Sequence, residues 1–210
     1  MENLLDLYEQ PYDADVPLVC FDERPCQLIS NVVVPLPVRP GSPLKEDYEY
    51  RRNGTCCVMV AIEPLRGWRM VRVFRHRTKQ EYALFMRDLV QSWYPHTQRI
   101  RLVQDNLNTH SAGSFYEVFE PDEAHRLQEK LEFHYTPRKA SWLNMAEIEL
   151  AALAKQCLDR RIADQKTLAR ELRSCERERN RQRTTISWRF TTIQARKTMA
   201  RHYTDVKQSS

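Results

Sequence analysis

The chain has 210 residues, 41% of them hydrophobic, and a formal net charge of +5, enough for one folded domain of roughly 150 residues plus an appendage. No run approaches the ~18 uninterrupted apolar residues of a membrane span, and the start MENLLDLYEQ lacks the charged-then-apolar pattern of a secretory leader, so a cytoplasmic protein with no membrane partner is expected. Six cysteines without a C-x-x-C pair or zinc-ligand spacing read as reduced, mostly buried residues and argue against structural zinc.

Residues 1–16 read as a short helix or arm closed by a turn at QPYDADVP. PLVCFDE (17–23) is an apolar run of β-formers that ends on an acid, Asp22, and the stretch after it carries Pro35, Pro37, Pro40 and Pro43, which a central strand would not tolerate. TCCVMVAIEP and GWRMVRVFRH alternate as two strands of a hairpin turning at EPLRG. In TKQEYALFMRDLVQSWYP, Thr78 and Glu81 stand at capping-box spacing, and Tyr82, Phe85, Met86 and Leu89 recur with a helical period until Pro95. RIRLVQDNLNTH then makes a strand from Ile100, Leu102 and Val103 that also ends on an acid, Asp105, followed by Asn106, Asn108 and His110. A helical or mixed segment (111–130), the short strand LEFHYTP, a helix from about Leu143 through Arg161 and a further helix in QKTLARELRSCERERNRQR complete the order. The end, TTISWRFTTIQARKTMARHY, is amphipathic without a predicted place. The expected domain limits are an arm at 1–16, a main unit of strands and helices at 17–162 and a basic helical extension at 163–210.

Five strands, two of them reached through crossover helices, predict an α/β fold: a mixed five-stranded sheet with helices on its faces. Ligand sites in such sheets lie beyond the carboxyl ends of strands, where Asp22 and Asp105 both fall. Counting Leu143, Glu147, Leu150, Ala154 and Leu158 as one helical stripe makes Glu147 the acid interrupting a sheet-facing surface, with Glu149 on the side where solvent could keep it charged. Each acid has a plainer reading: a turn before Pro25, an Asx turn at a strand end, or a capping acid after Asn144. Three carboxylates gathered at one edge, however, repel one another unless cations lie between them. Hard oxygen donors with open positions suit two Mg²⁺ ions, or Mn²⁺ in their place, about 4 Å apart, an arrangement that serves phosphoryl transfer. Asn106 and His110 are candidates for supporting such a site. With four glycines, no phosphate-binding Gly-rich loop and no Ser-His-Asp or reactive Cys setting, dinucleotide chemistry and covalent catalysis are disfavoured.

Charge is uneven along the chain. Residues 151–210 hold 15 Lys+Arg against 6 Asp+Glu, whereas residues 1–150 hold 18 against 22. The tail reads as a surface for a polyanion, with Arg177, Arg179, Arg181 and Arg183 as phosphate contacts, or as a solvated helix laced with i,i+4 pairs.

Several stretches resemble one family. VCFDE (19–23), YRRNGT (50–55), EPLRGWR (63–69), VQDNLNTH (103–110), LEFHYTPRKASWLNMAEIEL (131–150) and QCLDRRI (156–162) are similar to the catalytic domain of mariner-related bacterial insertion-sequence transposases of the DDE superfamily. The resemblance implies a ribonuclease H-like fold with Asp22 bridging two Mg²⁺ ions and Asp105 and Glu147 completing their shells. It implies cleavage at the element's ends, then strand transfer by a liberated 3′-hydroxyl, on insertion-sequence and target DNA near the nucleoid. It also implies a homodimer on DNA or a partnership with a helix-turn-helix subunit, because the first acid is already residue 22 and the expectation is a catalytic half. A catalytically inactive remnant that binds DNA, or a partner subunit, is the alternative. The 41 residues between Asp105 and Glu147 exceed the family's usual spacing, and EIEL stands where Glu-Ile-Trp is common.

Overall fold

The computed structural model describes residues 1–43 and 45–200. In chain order the elements are α1 (Glu2–Tyr8), β1 (Leu18–Asn31), β2 (Tyr50–Glu63), β3 (Trp68–Phe74), α2 (Lys79–Asp88) running into a π-helical turn (Leu89–Trp93), and β4 (Ile100–Gln104). There follow α3 (Gly113–Tyr116), α4 (Pro121–Lys130), β5 (Leu131–Tyr135), a 3₁₀ turn (Ser141–Leu143), α5 (Met145–Cys157), α6 (Gln165–Arg181) and α7 (Thr192–Thr198). One five-stranded sheet has the order β3-β2-β1-β4-β5. The first three strands are antiparallel neighbours, and β4 and β5 run parallel to β1. This mixed sheet, flanked by helices on both faces, is a ribonuclease H-like fold. No helix among the described residues is long and apolar enough to cross a membrane.

Local chemistry explains most of the elements. Thr78 and Glu81 form the capping box that starts α2, Pro121 sits in the first turn of α4, where its missing N–H costs nothing, and Asp164 caps α6 by accepting from Thr167 N–H. The proline-bearing segment after β1 stays out of the sheet, with only isolated bridges at Leu36 and Lys45 and at Arg39 and Ser42. β1 and β2 each run to 14 residues, longer than the apolar runs that announced them, because their outer halves pair with each other beyond the core.

The sheet's two faces bury different sets. Val19, Phe21, Met59, Tyr82, Phe85, Leu102 and Phe115 pack under α2 to α4. On the opposite face, Cys20, Ile62 and Val103 meet α1 and the start of α5, and Val58, Val60 and Val71 meet α5 and α6. Neither expected domain limit is a break in packing: Leu4, Leu5, Leu7 and Tyr8 of α1 are core residues, and so are Leu168 and Leu172 of α6. The amphipathic end has a place after all. Arg183 adopts a left-handed conformation that ends α6, Ile186 N–H donates to the Pro64 carbonyl, and Trp188 and Phe190 join the cluster around α1. Residues 201–210 of the expected extension lie outside the described residues. All six cysteines are free, four of them buried.

The final helical stretch differs from its sequence reading. Leu143 lies in the separate 3₁₀ turn, so counting from it set the wrong phase for α5. The buried face of α5 is Met145, Ala146, Glu149, Leu150, Leu153 and Cys157. Glu147 is therefore exposed, and Glu149, expected at the solvent side, is wholly buried.

Candidate active site

The parallel pairing of Val19 with Leu102 and of Cys20 with Val103 sets the beginning of β1 beside the end of β4. Asp22, expected to close its strand, is instead the fifth of β1's 14 residues, paired with Val60 because the strand runs on along β2. Alternation then puts Asp22 on the face of Cys20, and Asp105, two residues beyond Val103, leaves β4 from that same face. The start of α5 lies over it. Asn144 accepts from Ala146 N–H as the helix cap and donates through Nδ2 to the Phe21 carbonyl at 2.7 Å, fastening α5 to β1 one residue before Asp22. Asn144 N–H bonds to Ser141 O instead of to Glu147, so Glu147 is not a capping-box acid.

Asp22 is the most perturbed carboxyl of the site. Burial raises it, the Glu23 N–H bonded to Oδ1 at 2.8 Å opposes that, and the charges of Glu147, Glu23 and Asp105 raise it further, to about 7. Among the described residues neither Asp22 nor Glu147 has a cationic partner.

Asp105 is half-buried and held by His110, whose Nδ1 meets Oδ1, while Nε2 of the same ring stands 3.0 Å from Glu23 Oε2. Burial pulls the imidazole down, but bonds to Asp105 and Glu23 and their charges more than offset this and raise it to about 9. The ring is 1% exposed, stacked on Tyr82 with centroids 4.9 Å apart and meeting Phe21 edge-on at 5.2 Å. Gln104 Nε2 and the Tyr135 hydroxyl both donate to its carbonyl, and Arg77 reaches Glu23 Oε1 at 3.3 Å. The loop after β4 thus folds back to bury His110 beneath the acids, whereas Asn106 stays exposed.

The chemistry of the donor set fits a hard divalent cation: oxygen donors at one edge, of which Asp22 and Glu147 have no cationic partner among the described residues and repel each other. The side chains do not close around an ion, since no group of three His, Cys, Asp or Glu among the described residues is placed to hold one; Asp105 is turned to His110 instead.

Glu23, Gln104, Tyr82 and Arg77 were missed by sequence reasoning. Only Glu23 carried a signal, as the second acid of FDE. Of the four tail arginines, Arg179 is not a surface cation. Its Nε and Nη2 bond to Glu149 at 2.7 and 2.8 Å, because α6 lies against α5 and a buried carboxylate there requires neutralising. Arg177, Arg181 and Arg183 are exposed, Arg181 paired with Glu178 on its own helix.

A family model described as DDE superfamily endonuclease matches residues 17–169. Among solved structures, the chain is similar to the Mos1 mariner paired end complex with Mn, at 18% identity over 87% of this chain and 59% of that one, TM-score 0.45. It is similar also to the Mos1 transposase paired-end complex with left transposon end, at 16% over 87% and 58%, TM-score 0.46. A third is the Mos1 strand transfer complex, at 16% over 87% and 58%, TM-score 0.45. The chain therefore spans under two thirds of the length of each of these solved chains. No curated protein matches it.

Proposed function

The chain belongs to the DDE superfamily endonuclease family, and from that premise we propose that it is the catalytic domain of a DNA transposase whose metal-binding acids are Asp22, Asp105 and Glu147. The observation that carries the reading is Asp22: a largely buried carboxyl without a cation, raised by burial and by neighbouring Glu147 and Asp105. Such a cluster costs folding energy and persists where the charge is used. Two Mg²⁺ ions, or Mn²⁺ in their place, when bound supply Lewis-acid activation of the attacking oxygen and stabilise charge on the leaving one.

The chain's own residues prepare that chemistry. His110, locked by Tyr82 and Phe21, keeps Asp105 at the mouth of β4. Asn144 holds the helix of Glu147 against β1. The exposed Arg177, Arg181 and Arg183 meet phosphates, and Asn106, exposed beside Asp105, faces the strand to be cut. DNA ends are the substrate, with water as nucleophile for cleavage and a 3′-hydroxyl for strand transfer. A second copy of the chain or a helix-turn-helix subunit brings two ends together.

Plasmid nicking with Mn²⁺ or Mg²⁺ tests the assignment. Asp22→Asn, Asp105→Asn and Glu147→Gln each abolish nicking, because a lost ligand forfeits several kcal/mol of transition-state stabilisation. Nicking at the wild-type rate by Glu147→Gln overturns it. One observation favours the second reading, a remnant that binds DNA without cutting: no three side chains among the described residues close around an ion. Calorimetric Mg²⁺ titration separates the two, since a remnant shows no binding that Asp22→Asn removes.

A further inference from the structure

The loop joining β5 to α5 (136–144) carries exposed groups that the proposed chemistry does not use. Lys139 adopts a left-handed backbone with φ 61, unusual for a side chain with a Cβ. The turn it makes, closed by Ala140 N–H on the Pro137 carbonyl, leads into the 3₁₀ turn where Trp142 is 42% exposed. One edge of this indole is supported from behind. Trp188 lies nearly parallel to it with centroids 6.4 Å apart, Phe190 meets it edge-on at 5.6 Å, and Tyr8 backs Trp188 at 5.2 Å. Arg138, Lys139 and Arg189 are exposed beside these aromatics in sequence, with no acidic partner among the described residues. A large indole left in solvent on a rigid aromatic base, with exposed cations without acidic partners three and four residues before it and another next to the Trp188 that backs it, is poor surface chemistry unless something planar and anionic covers it.

We propose that this loop is a grip for an unpaired DNA end, in which Trp142 stacks the base next to the reacting phosphate and Arg138, Lys139 and Arg189 hold the adjoining backbone. The inference rests on the reading of Asp22, Asp105 and Glu147 as the reacting centre. Nucleic acid is the occupant that satisfies both halves of the surface, since each nucleotide offers a π-face and a negative charge together. A terminal base has a stacking neighbour on one side only, so its other face is free for an indole, whereas a base inside a duplex is covered on both.

The test is binding of labelled DNA to the full chain in EDTA, where no cutting occurs, comparing a duplex carrying a short single-stranded 3′ overhang with the blunt duplex. Trp142→Ala weakens overhang binding roughly 5- to 150-fold, the loss of one base stack, and leaves blunt-duplex binding within twofold. Trp142→Phe, which retains an aromatic face and the support of Trp188 and Phe190, keeps most of the overhang preference. An abasic residue at the stacked position reproduces the loss in wild type and adds nothing in Trp142→Ala. Arg138→Gln with Lys139→Gln weakens both DNAs together and lowers the salt slope by up to about 0.9 per lost duplex contact.

Equal binding of both DNAs by wild type overturns the grip, as does Trp142→Phe as weak as Trp142→Ala, which would make the indole a packing residue. A change of oligomeric state in Trp142→Ala with DNA binding unaltered also overturns it and makes the surface a protein interface. Failure of the catalytic reading looks different: the overhang preference survives while wild type fails to nick.

Discussion

Glu149→Gln removes the carboxylate that Arg69 and Arg179 share inside the fold. From sequence the residue is a neighbour of Glu147 on the solvent side of the helix. In the fold its side chain is 0% exposed, with Oε1 3.0 Å from Nε of the equally buried Arg69 and 2.7 Å from Nε of Arg179. Arg69 sits on β3 and also donates to the carbonyls of Gly67 and Thr184 and to Asn180, so one carboxylate ties β3, α5, α6 and the returning tail together. At an effective dielectric of about 20, a pair 3 Å apart attracts by ~5 kcal/mol before desolvation is subtracted. Removing the shared partner leaves two guanidinium groups facing each other, one wholly enclosed, and such losses cost ~3–5 kcal/mol. That is a large part of the ~5–15 kcal/mol stability of a domain. Urea unfolding followed by far-UV circular dichroism reads the shift in midpoint. Glu178→Gln is the matched control, because Glu178 binds Arg181 through the same two-pronged geometry at 2.7 and 3.0 Å but in solvent, and its midpoint should not move. A Glu149→Gln midpoint equal to wild type, or an equal loss in both variants, would refute the argument that burial decides the worth of this pair.

Three other outcomes follow from the same structure. Asp22 ionises near 3.8 unfolded and near 7 folded, so the native state keeps a proton that the unfolded chain has released, and stability falls as pH rises from about 4 to about 7. Asp22→Asn removes that dependence: its melting temperature in metal-free buffer should equal wild type at pH 4 and exceed it at pH 8, by ~2–4 kcal/mol of stability, whereas a difference independent of pH would assign the effect elsewhere. Gly67 has φ +69, and a Cβ there would lie 2.5 Å from the Arg183 carbonyl carbon, so Gly67→Ala should cost ~2–4 kcal/mol in thermal melts; Gly54→Ala, equally left-handed but in open space, should cost ~1 kcal/mol. Neutralising Arg177, Arg181 and Arg183 should lower the salt slope of DNA binding by up to about 0.9 per lost contact while leaving the melting temperature unchanged, and an unchanged slope would return them to a solvated helix face.

What the sequence determined by itself is whatever depends on neighbours within about a turn or a strand. Alternation located the hairpin and β4, Thr78 and Glu81 marked the start of α2, and the acid closing an apolar run placed Asp105 just beyond β4, whereas Asp22, read the same way, falls inside the longer β1. The same local signals left the phase of α5 open, because Leu143 continues a helical pattern that a 3₁₀ turn interrupts, and they could not tell a buried carboxylate from an exposed one. Glu149 looks like any surface acid until Arg69 and Arg179, 80 and 30 residues away in the chain, are brought to it. The tail is the same case: TTISWRF carries no period of its own, and its path is decided by a left-handed Arg183, a glycine at residue 67 with room for the crossing, and an aromatic pocket built by α1 and Trp142. Burial and charge pairing are properties of the assembled sheet and its layers. They were settled only when segments far apart in sequence met, since the energy of a buried ion or an exposed indole depends on what covers it and not on the residues beside it in the chain.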